Sequence, residues 1–288
     1  MGKYTIAQIV SLTGIKAHTL RKWEARYHFI KPERTNTNIR YYSDSQLKKL
    51  LNISILSRNG YRISQIDKMS DNEIHDTIKS ILIDASYEDE VNSLTLTMLS
   101  MDEASFHAII DKEILRKGIL TTITDLLYPF LQQVGVLWGN NRAMPAQEHF
   151  MSNLIRQKIF SATDYLPPPK ENSLSIVLFL PEGENHEIGL LLSNFIARKL
   201  GWKTYYLGQS VPTENIKKID KITNADLYFT MFVSINQEVI NSKIDELLKG
   251  HQKPLLLAGI IPGIENIQGR ATYLTSPKEF IDFLMNFS

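Results

Sequence analysis

A run of three prolines at residues 167–169 constrains the fold of this chain more than any other feature. Proline lacks an amide hydrogen and its ring collides with the preceding helical turn, so the run favours an extended spacer. Residues 76–165 before it show helical periodicity, whereas strand-like apolar runs alternate with helical stretches after it. We therefore predict that residues 166–172 link a helical part of the protein to an α/β part.

The part after the linker has the pattern of a doubly wound parallel sheet. Its apolar runs lie at 174–180, 203–207, 226–233, 254–258 and 271–274, and its helical stretches at 187–200, 212–222, 236–249 and 276–286. Strands that alternate with helices in this way predict a parallel sheet, whose ligands lie at the carboxyl ends of the strands.

The part before the linker, residues 76–166, is expected to form a bundle of about four helices. Ser100 and Glu103 have the spacing of a capping box that starts a helix. Gly118 marks a helix end, and Pro145 suits the first position of a helix.

The first 75 residues have the spacing of a helix-turn-helix. Thr5 and Gln8 form a capping box before a short apolar helix, which Gly14 ends. After a short turn, residues 17–27 form a second helix with Leu20 on its inner side.

A small hairpin or wing is predicted after the second helix. Residues 31–42 contain a proline, an Asn-Thr-Asn turn and a run of four β-prone residues. Helices resume at Ser43, which forms a capping box with Gln46, and Ser70 forms another with Glu73.

Composition excludes several kinds of function. The 288 residues include no cysteine, which excludes disulfides, thiolate metal sites, iron–sulfur clusters and a cysteine nucleophile. Residues 1–30 lack the apolar core of a secretory signal, and no 18-residue run is free of charged or polar residues. We therefore expect a cytoplasmic protein of two or three domains that does not span a membrane.

The formal net charge of +1 conceals two regions of opposite sign. Residues 1–75 carry 13 Lys or Arg and 6 Asp or Glu, a balance of +7, and residues 76–288 have a balance of −6. A basic end is typical of a segment that meets a polyanion such as nucleic acid, although a solvated charged face would give the same count.

Three motifs in the basic region resemble a known family. They are Leu20-Arg21-Lys22-Trp23-Glu24-Ala25-Arg26-Tyr27, Pro32-Glu33-Arg34-Thr35 and Arg40-Tyr41-Tyr42-Ser43. Over residues 4–70 the chain resembles the MerR family of winged-helix regulators, and its Trp-Glu-x-Arg-Tyr form is similar to the subgroup with a cobalamin effector domain. The resemblance implies these DNA-binding residues: Lys16, His18, Arg21, Lys22, Arg26, Tyr27, Arg34, Arg40 and Tyr41.

The second helix would lie in the major groove, with the wing on the phosphate backbone. Arg21 would offer its guanidinium to a base edge or a phosphate. Tyr27, Arg40 and Tyr41 would hold backbone phosphates. Trp23 is interpreted instead as a core residue of the small domain.

Two further motifs resemble cobalamin-binding proteins. Trp138, nine residues and then Glu148-His149 resemble the signature of the helical cap in photoreceptor regulators of the CarH, CarA and LitR type. Glu184-Asn185-His186-Glu187-Ile188-Gly189 resembles the Asp-x-His-x-x-Gly loop of Rossmann-like cobalamin domains, and Leu207 to Pro212 resembles the loop after their second strand. The resemblance implies that these residues bind the cofactor: Trp138, Glu148, His149, Glu184, His186, Gly189, Gly208, Ser234 and Gly259.

The residue types suit that chemistry. A neutral imidazole, His186, can replace the cofactor's own base as the lower cobalt ligand, and Glu184 can orient its other nitrogen. Gly189 lets the displaced nucleotide tail pass close to the backbone. In the cap, Trp138 would cover the upper face, with polar contacts from Glu148 and His149.

Four positions differ from the family pattern. Gly139 follows the signature Trp where light-responsive members carry a histidine, so the His-capped photoswitch is not expected. The loop acid is Glu184 instead of aspartate. Met231 falls at the Ser-x-Leu element beside the nucleotide tail, and Ala258-Gly259 replaces a Gly-Gly element, so larger side chains would crowd the tail.

The sequence thus predicts a multidomain α and α/β protein: a winged helix-turn-helix over 1–75, a helical bundle cap over 76–166 and a Rossmann-like, flavodoxin-like domain over 173–288. The main hypothesis is a regulator without turnover that binds operator DNA as a homodimer, or as a tetramer of paired dimers, and takes adenosylcobalamin or methylcobalamin as effector. Residues 61–80 are the candidate dimerisation helix. The alternatives are a cofactor-free effector domain controlled by a protein partner, and a corrinoid methyl carrier.

Overall fold

A computed structural model of the protein describes residues 3–27, 29–35, 37–81, 87–138, 145–233, 237–249, 253–261 and 271–287. The chain forms two compact units, Met1–Met151 and Ser152–Ser288. None of the described helices combines the length and the apolar character needed to cross a bilayer.

The first unit begins with a winged helix-turn-helix. Its elements are β1 (Tyr4–Thr5), α1 (Ile6–Thr13), α2 (Ala17–Arg26), β2 (Glu33–Arg34), β3 (Arg40–Tyr42), α3 (Asp44–Arg58), α4 (Ile63–Ile66) and α5 (Asp71–Ile81). The strands pair antiparallel in the order β1-β3-β2. The hairpin of the wing is therefore confirmed, and it gains a third strand, β1, that the sequence pattern did not indicate.

The predicted helix starts in this region are confirmed. Thr5 Oγ1 accepts from the backbone N–H of Gln8, and the Gln8 side chain accepts from the Thr5 N–H at 2.8 Å. Ser43 makes the same reciprocal pair with Gln46. Gly14 closes α1 at a φ of 70°, which is the left-handed conformation that glycine adopts at low cost.

Residues 61–80 do not form the single dimerisation helix that was expected. The chain breaks between α4 and α5, because Ser70 and Glu73 form a capping box that starts a new helix. The apolar side chains of Ile66, Ile74 and Ile78 are buried in the core cluster that includes α3 of the same chain. That apolar face is used within the protomer, so the expectation of a long helix here was wrong.

The rest of the first unit is helical, as predicted. Its elements are α6 (Tyr87–Ser100), α7 (Glu103–Lys117), α8 (Ile119–Thr122), a π-helical turn (Ile123–Leu127), α9 (Tyr128–Trp138) and α10 (Pro145–Asp164), which continues into the second unit. Because α8, the π turn and α9 follow one another without a break, residues 87–138 and 145–164 contain four long helical segments. Pro145 is the first residue of α10, as expected.

The predicted start of α7 at Ser100 was wrong. Ser100 is the last residue of α6, and Asp102 caps α7 by accepting the Ser105 N–H at 3.0 Å. A carboxylate also interacts favourably with the positive end of the helix dipole, so Asp102 is the stronger cap. The helix ends at Gly118, as predicted.

The second unit contains a parallel five-stranded sheet. Its elements are β4 (Ser175–Pro181), α11 (Ile188–Lys199), β5 (Lys203–Val211), α12 (Thr213–Thr223), β6 (Leu227–Phe232), α13 (Gln237–Lys249), β7 (Leu255–Gly259), β8 (Ala271–Leu274) and α14 (Pro277–Asn286). The strand order is β5-β4-β6-β7-β8. Between α10 and β4 the chain has no helix or strand, as the three prolines predict, whereas the division between the two units falls within α10.

Helices cover both faces of this sheet, as the doubly wound prediction requires. On one face α12 and α13 contribute Ile216, Ile240 and Ile244 to the core. On the other, α11 contacts α14, and Phe229 of β6 lies 4.8 Å from Phe280 of α14 between ring centroids. The connections after β4 and β6 therefore leave the sheet on opposite faces, which opens a crevice between these two strand ends.

The segment from Leu207 to Val211 was expected to be a loop but belongs to β5. The pairing of β4 with β5 shifts register twice at this end, and Gly208 takes a φ of 78°. A bulge of this kind lets the strand continue while it bends.

Candidate functional site

The helix α2 has a buried side and an exposed basic side. Leu20 is fully buried, and Trp23 is half-buried against the core beneath the helix, as interpreted from the sequence. Five of the predicted DNA contacts are exposed on this helix or at its N-cap: Lys16, His18, Arg21, Lys22 and Arg26. The arrangement suits a recognition helix in a major groove.

Glu24 joins the wing to α2, which sequence reasoning missed. Its Oε2 lies 2.9 Å from Nε of Arg40, and its Oε1 accepts the hydroxyl of Tyr42 at 2.5 Å. Burial, with this hydrogen bond second, raises the pKa of Tyr42, so the hydroxyl remains a donor. The sequence feature that could have indicated this contact is the single acidic residue inside an otherwise basic helix. Arg40 is thus half-buried at the joint, and its phosphate contact stays a prediction.

The other predicted wing contacts lie on or near β2 and β3. Arg34 is exposed and donates from Nη1 to Asn38 at 2.6 Å. The hydroxyl of Tyr41 donates to Glu33 at 2.5 Å, and the Lys3 ammonium lies 4.7 Å from the centre of the Tyr41 ring. Cations therefore flank the wing on both of its sides.

Tyr27 follows α2 directly. Its half-buried ring lies 5.4 Å from the ring of Phe29. This contact packs the aromatic body, and a phosphate contact of the hydroxyl stays a prediction.

The carboxyl end of α1 is joined to the helical bundle by polar side chains. Gln133 of α9 donates from Nε2 to the carbonyl of Leu12 at 3.1 Å. Arg58 of α3 pairs with Asp89 of α6 through Nη2 at 2.5 Å and donates from Nη1 to the carbonyl of Thr13 at 3.5 Å. We call these five residues the α1 clamp. It connects the helix-turn-helix to α6 and α9 within one compact unit.

The Trp138 and Glu148-His149 motif is divided between two helices. Trp138 is the last residue of α9, although its side chain and Gly139 lie outside the described part. Glu148 and His149 lie in the first turns of α10, and Nε2 of His149 is 3.1 Å from Oε2 of Glu148. The His149 side chain is 72% exposed, so it is available to a ligand.

The loop after β4 brings Glu184 and His186 together as predicted. The Glu184 carboxylate is fully buried, and its Oε1 lies 2.9 Å from Nδ1 of His186. The same oxygen accepts the backbone N–H groups of Asn185 and His186, each at 3.0 Å, and Oε2 accepts the N–H of Val233 at 2.8 Å. These backbone donors offset the cost of burying the carboxylate and fix its position.

The geometry sets which imidazole nitrogen can act as a ligand. An ionised carboxylate only accepts, so Nδ1 of His186 is the donor and the lone pair of the neutral ring is on Nε2. The His186 side chain is 50% exposed, whereas Glu184 is 0% exposed. A half-exposed imidazole that a buried acid orients could therefore supply a nitrogen ligand to a metal ion.

A second polar group near the loop was not foreseen. Oε1 of Glu187 lies 3.0 Å from Nε of Arg156, and its Oε2 accepts the Tyr206 hydroxyl at 3.3 Å. Burial and then the charge of Glu187 raise the pKa of Tyr206. These contacts therefore anchor Glu187, the residue after His186, to α10 and β5. In the sequence, only its position inside the predicted loop motif pointed to it.

The glycines and the serine of the predicted site have different surroundings. Gly189 faces the Met231 side chain, while Gly208 lies in the β5 bulge. At Gly259, φ is 97° and a Cβ would overlap the Phe232 carbonyl, so glycine is required there by the backbone alone. Ser234 lies outside the described residues. Within the described ranges, no three His, Asp or Glu side chains form a metal-binding group.

The fold and the site define a class of protein: a winged helix-turn-helix that suits DNA binding, followed by an α/β domain whose Glu184–His186 loop suits a corrinoid. Residues 4–73 match the MerR HTH family of regulatory proteins, and residues 91–160 match a B12 binding domain. The chain therefore contains a MerR-type helix-turn-helix domain followed by a B12-type binding domain, and the second domain supports cobalamin as the ligand.

The chain is homologous to two transcriptional repressors of Myxococcus xanthus. It is 28% identical to CarH over 74% of this chain and 73% of that protein. It is 27% identical to CarA over 72% of this chain and 68% of that protein. Among solved structures, the monomethylamine corrinoid protein of Methanosarcina barkeri aligns with a TM-score of 0.49 and 20% identity, over 76% of this chain and all of that one.

Proposed function

We propose that this protein regulates transcription by binding operator DNA through residues 1–75, and that cobalamin held by residues 76–166 and 173–288 changes its DNA affinity. The observation that carries the proposal is the Glu184–His186 pair at the carboxyl edge of the sheet, in a chain whose first unit exposes a basic recognition helix. The similarity to two repressors supports a role in repression.

The loop residues would hold the cofactor from below. A bound cobalamin would supply a cobalt ion that takes a nitrogen ligand from the protein. His186 would offer Nε2, while Glu184 holds the proton of Nδ1 and so prevents the ring from turning over. Because Glu184 is itself tied to the Val233 N–H, the imidazole keeps one orientation relative to β6.

The helical cap would meet the upper substituent. Trp138, Glu148 and His149 are the residues proposed for that contact. Gly139 has no side chain that could ligate cobalt, so we propose that light produces no His-capped state in this protein.

The α1 clamp supplies a physical route from the bundle to the DNA-binding helices. Gln133 and Asp89 belong to bundle helices, and through Leu12, Thr13 and Arg58 they hold the carboxyl end of α1. A small shift of α6 or α9 would therefore move α1 and, across the turn, α2. We propose that the DNA-bound form is a homodimer, or two such dimers, because an operator with two half-sites requires two recognition helices.

Cofactor binding is tested by desalting. Protein mixed with adenosylcobalamin or methylcobalamin and then desalted should stay red, and its visible spectrum should change in His186→Ala but not in the exposed-loop control Glu182→Ala. A colourless wild-type protein would favour the cofactor-free regulator with a protein partner. Methyl transfer from the bound cofactor to a thiol would favour the carrier protein.

The regulatory part is tested with operator DNA. Binding and oligomeric state should be followed by gel shift and light scattering with and without cobalamin, in darkness and after illumination. We expect the cofactor to change DNA affinity and illumination to have no further effect. Arg21→Ala and Arg40→Ala should lower affinity and reduce the dependence on salt, since each removes a cation near phosphate. Equal affinity with and without cobalamin would contradict an effector role.

A further inference from the structure

At the carboxyl end of β6 the side chain of Met231 is half-buried and lies against Gly189 at the start of α11. Side chains alternate between the faces of a strand, and Phe229 of β6 packs on α14. Met231, two residues later, therefore points to the same face, which α11 also covers. It meets α11 at Gly189, the second residue of that helix.

The contact with Gly189 is closer than a side chain at this position would allow unless the end of the Met231 side chain moved. A Cβ built on Gly189 would lie 2.8 Å from Cε and 2.9 Å from Sδ of Met231. Real Cβ atoms are not found this close to another heavy atom, so the end of the thioether occupies the space that the missing side chain leaves. The space beside Gly189 is thus taken up by a side chain of the protein, Met231.

The same contact is connected to the loop that holds Glu184 and His186. Glu184 accepts the N–H of Val233, two residues after Met231, and holds His186 through its other oxygen. Gly189 follows His186 by three residues. Met231 and His186 are therefore tied to the same short stretch of backbone, His186 through Glu184 and Met231 through its contact with Gly189.

The chemistry of cobalamin requires such a group. Its nucleotide tail ends in a base that binds the lower face of cobalt, and this base is displaced if an imidazole takes its position. The displaced tail then needs space on the protein side of the corrin ring. Between Gly189 and β6 the end of the Met231 side chain occupies the position beside the glycine, so a tail there requires another Met231 rotamer, which methionine adopts at modest cost because its three side-chain bonds rotate freely.

We propose that Met231 is a specificity-determining residue that weakens binding of corrinoids with a nucleotide tail relative to corrinoids without one. This inference rests on the proposed binding of the corrinoid through His186. It deepens that proposal by naming the part of the cofactor that the site discriminates.

Affinity for two corrinoids tests the discrimination. Cobalamin and cobinamide, which lacks the nucleotide, are titrated into full-length wild type, Met231→Ala and Met231→Leu, with binding followed by the visible spectrum. Met231→Ala should bind cobalamin about tenfold more tightly, which corresponds to avoiding one unfavourable rotamer and some lost packing, and should bind cobinamide within about twofold of wild type. Met231→Leu keeps the bulk and should resemble wild type. The control is Met285→Ala, since Met285 is 68% exposed on α14.

A second measurement tests the packing without a ligand. Gly189→Ala should destabilise the wild type, because the new Cβ meets the thioether, and this loss should largely disappear in the Met231→Ala background. Equal losses in both backgrounds would overturn the proposal, as would an unchanged ratio of the two corrinoid affinities in Met231→Ala. If wild type and Met231→Ala bind neither corrinoid, the proposed function fails and takes this inference with it. If both corrinoids bind with an unchanged ratio, only this inference fails.

Discussion

Glu184 in the sheet unit and Glu90 in the helical unit are both buried carboxyl groups, yet they are stabilised in opposite ways. Glu184 is surrounded by donors: three backbone N–H groups and the imidazole of His186. The Glu90 side chain is 1% exposed and shares a hydrogen bond with Glu113, which is equally buried. Burial, followed by this hydrogen bond, raises the pKa of Glu90 to about 7.

The difference gives the two carboxyl groups different roles: Glu184 is fixed in position, whereas Glu90 takes up or releases a proton. Backbone donors keep Glu184 in one place, which suits an acid that orients a metal ligand. In the other pair, Lys117 and Arg116 lie close to Glu113, and although burial raises its pKa, these cations and Glu90 outweigh that and lower it. Lys112 lies 3.5 Å from Glu90. Glu90 therefore gives up its proton only as pH increases through about 7, and the energy of the pair depends on pH.

The largest expected effect is at Glu184. Glu184→Ala removes the acceptor of three backbone N–H groups and should lower the free energy of unfolding of the sheet unit by about 3–5 kcal/mol. Urea unfolding measures the loss, and hydrogen exchange at the Val233 amide should become much faster. Glu182→Ala, an exposed neighbour in the same loop, serves as control. Equal unfolding midpoints for the two variants would contradict the role of Glu184.

Asp89 is a third buried carboxylate, and its partners are side chains. It is paired with Arg58 and accepts from Asn59 Nδ2 at 2.8 Å. Asp89→Ala should cost about 2–3 kcal/mol of unfolding free energy, because it leaves these two donors without their acceptor. Glu88 precedes it on α6 and is 79% exposed, so Glu88→Ala should change stability little. If Asp89→Ala also leaves DNA binding insensitive to cobalamin, the α1 clamp is part of the signal route.

Glu90 should make stability depend on pH. Its pKa is raised in the folded state, so its contribution is present below its ordinary pKa and is lost as pH increases through about 7. Glu90→Gln mimics the protonated form and should raise the unfolding free energy at pH 8 by about 2 kcal/mol while leaving it nearly unchanged at pH 5. Chemical unfolding from pH 5 to 8 measures this. If the unfolding free energies of wild type and Glu90→Gln changed with pH at the same slope, a group other than Glu90 would be responsible for the pH dependence.

The smallest effect is expected at the partly exposed pair of Arg156 and Glu187. Their side chains are 29% and 17% exposed, so solvent screens the attraction. Arg156→Gln should change the unfolding free energy by about 0.5 kcal/mol. A loss of unfolding free energy as large as that of Glu184→Ala would mean that the degree of burial does not determine how much each carboxylate contributes to stability.

Local sequence patterns predicted most of the elements and the contact between Glu184 and His186. Period-two and helical patterns depend on residues close in the chain, and so do the capping pairs Thr5–Gln8 and Ser43–Gln46. The failures occurred where a neighbour offered a better alternative. Asp102 was a stronger cap than Ser100, and the apolar face of α5 found its partner in α3 of the same chain.

By itself the sequence determined the order of the parts, the basic end, the absence of thiol chemistry and the pair that can hold cobalt, because these depend on residue type and short spacing. Only the tertiary structure brought Glu24 to Arg40, Gln133 to Leu12, and Met231 onto Gly189. In the last of these pairs the sequence had singled out both residues, but separately. Their meeting depends on strand order and helix packing, which join residues up to 121 positions apart and have no short-range signal.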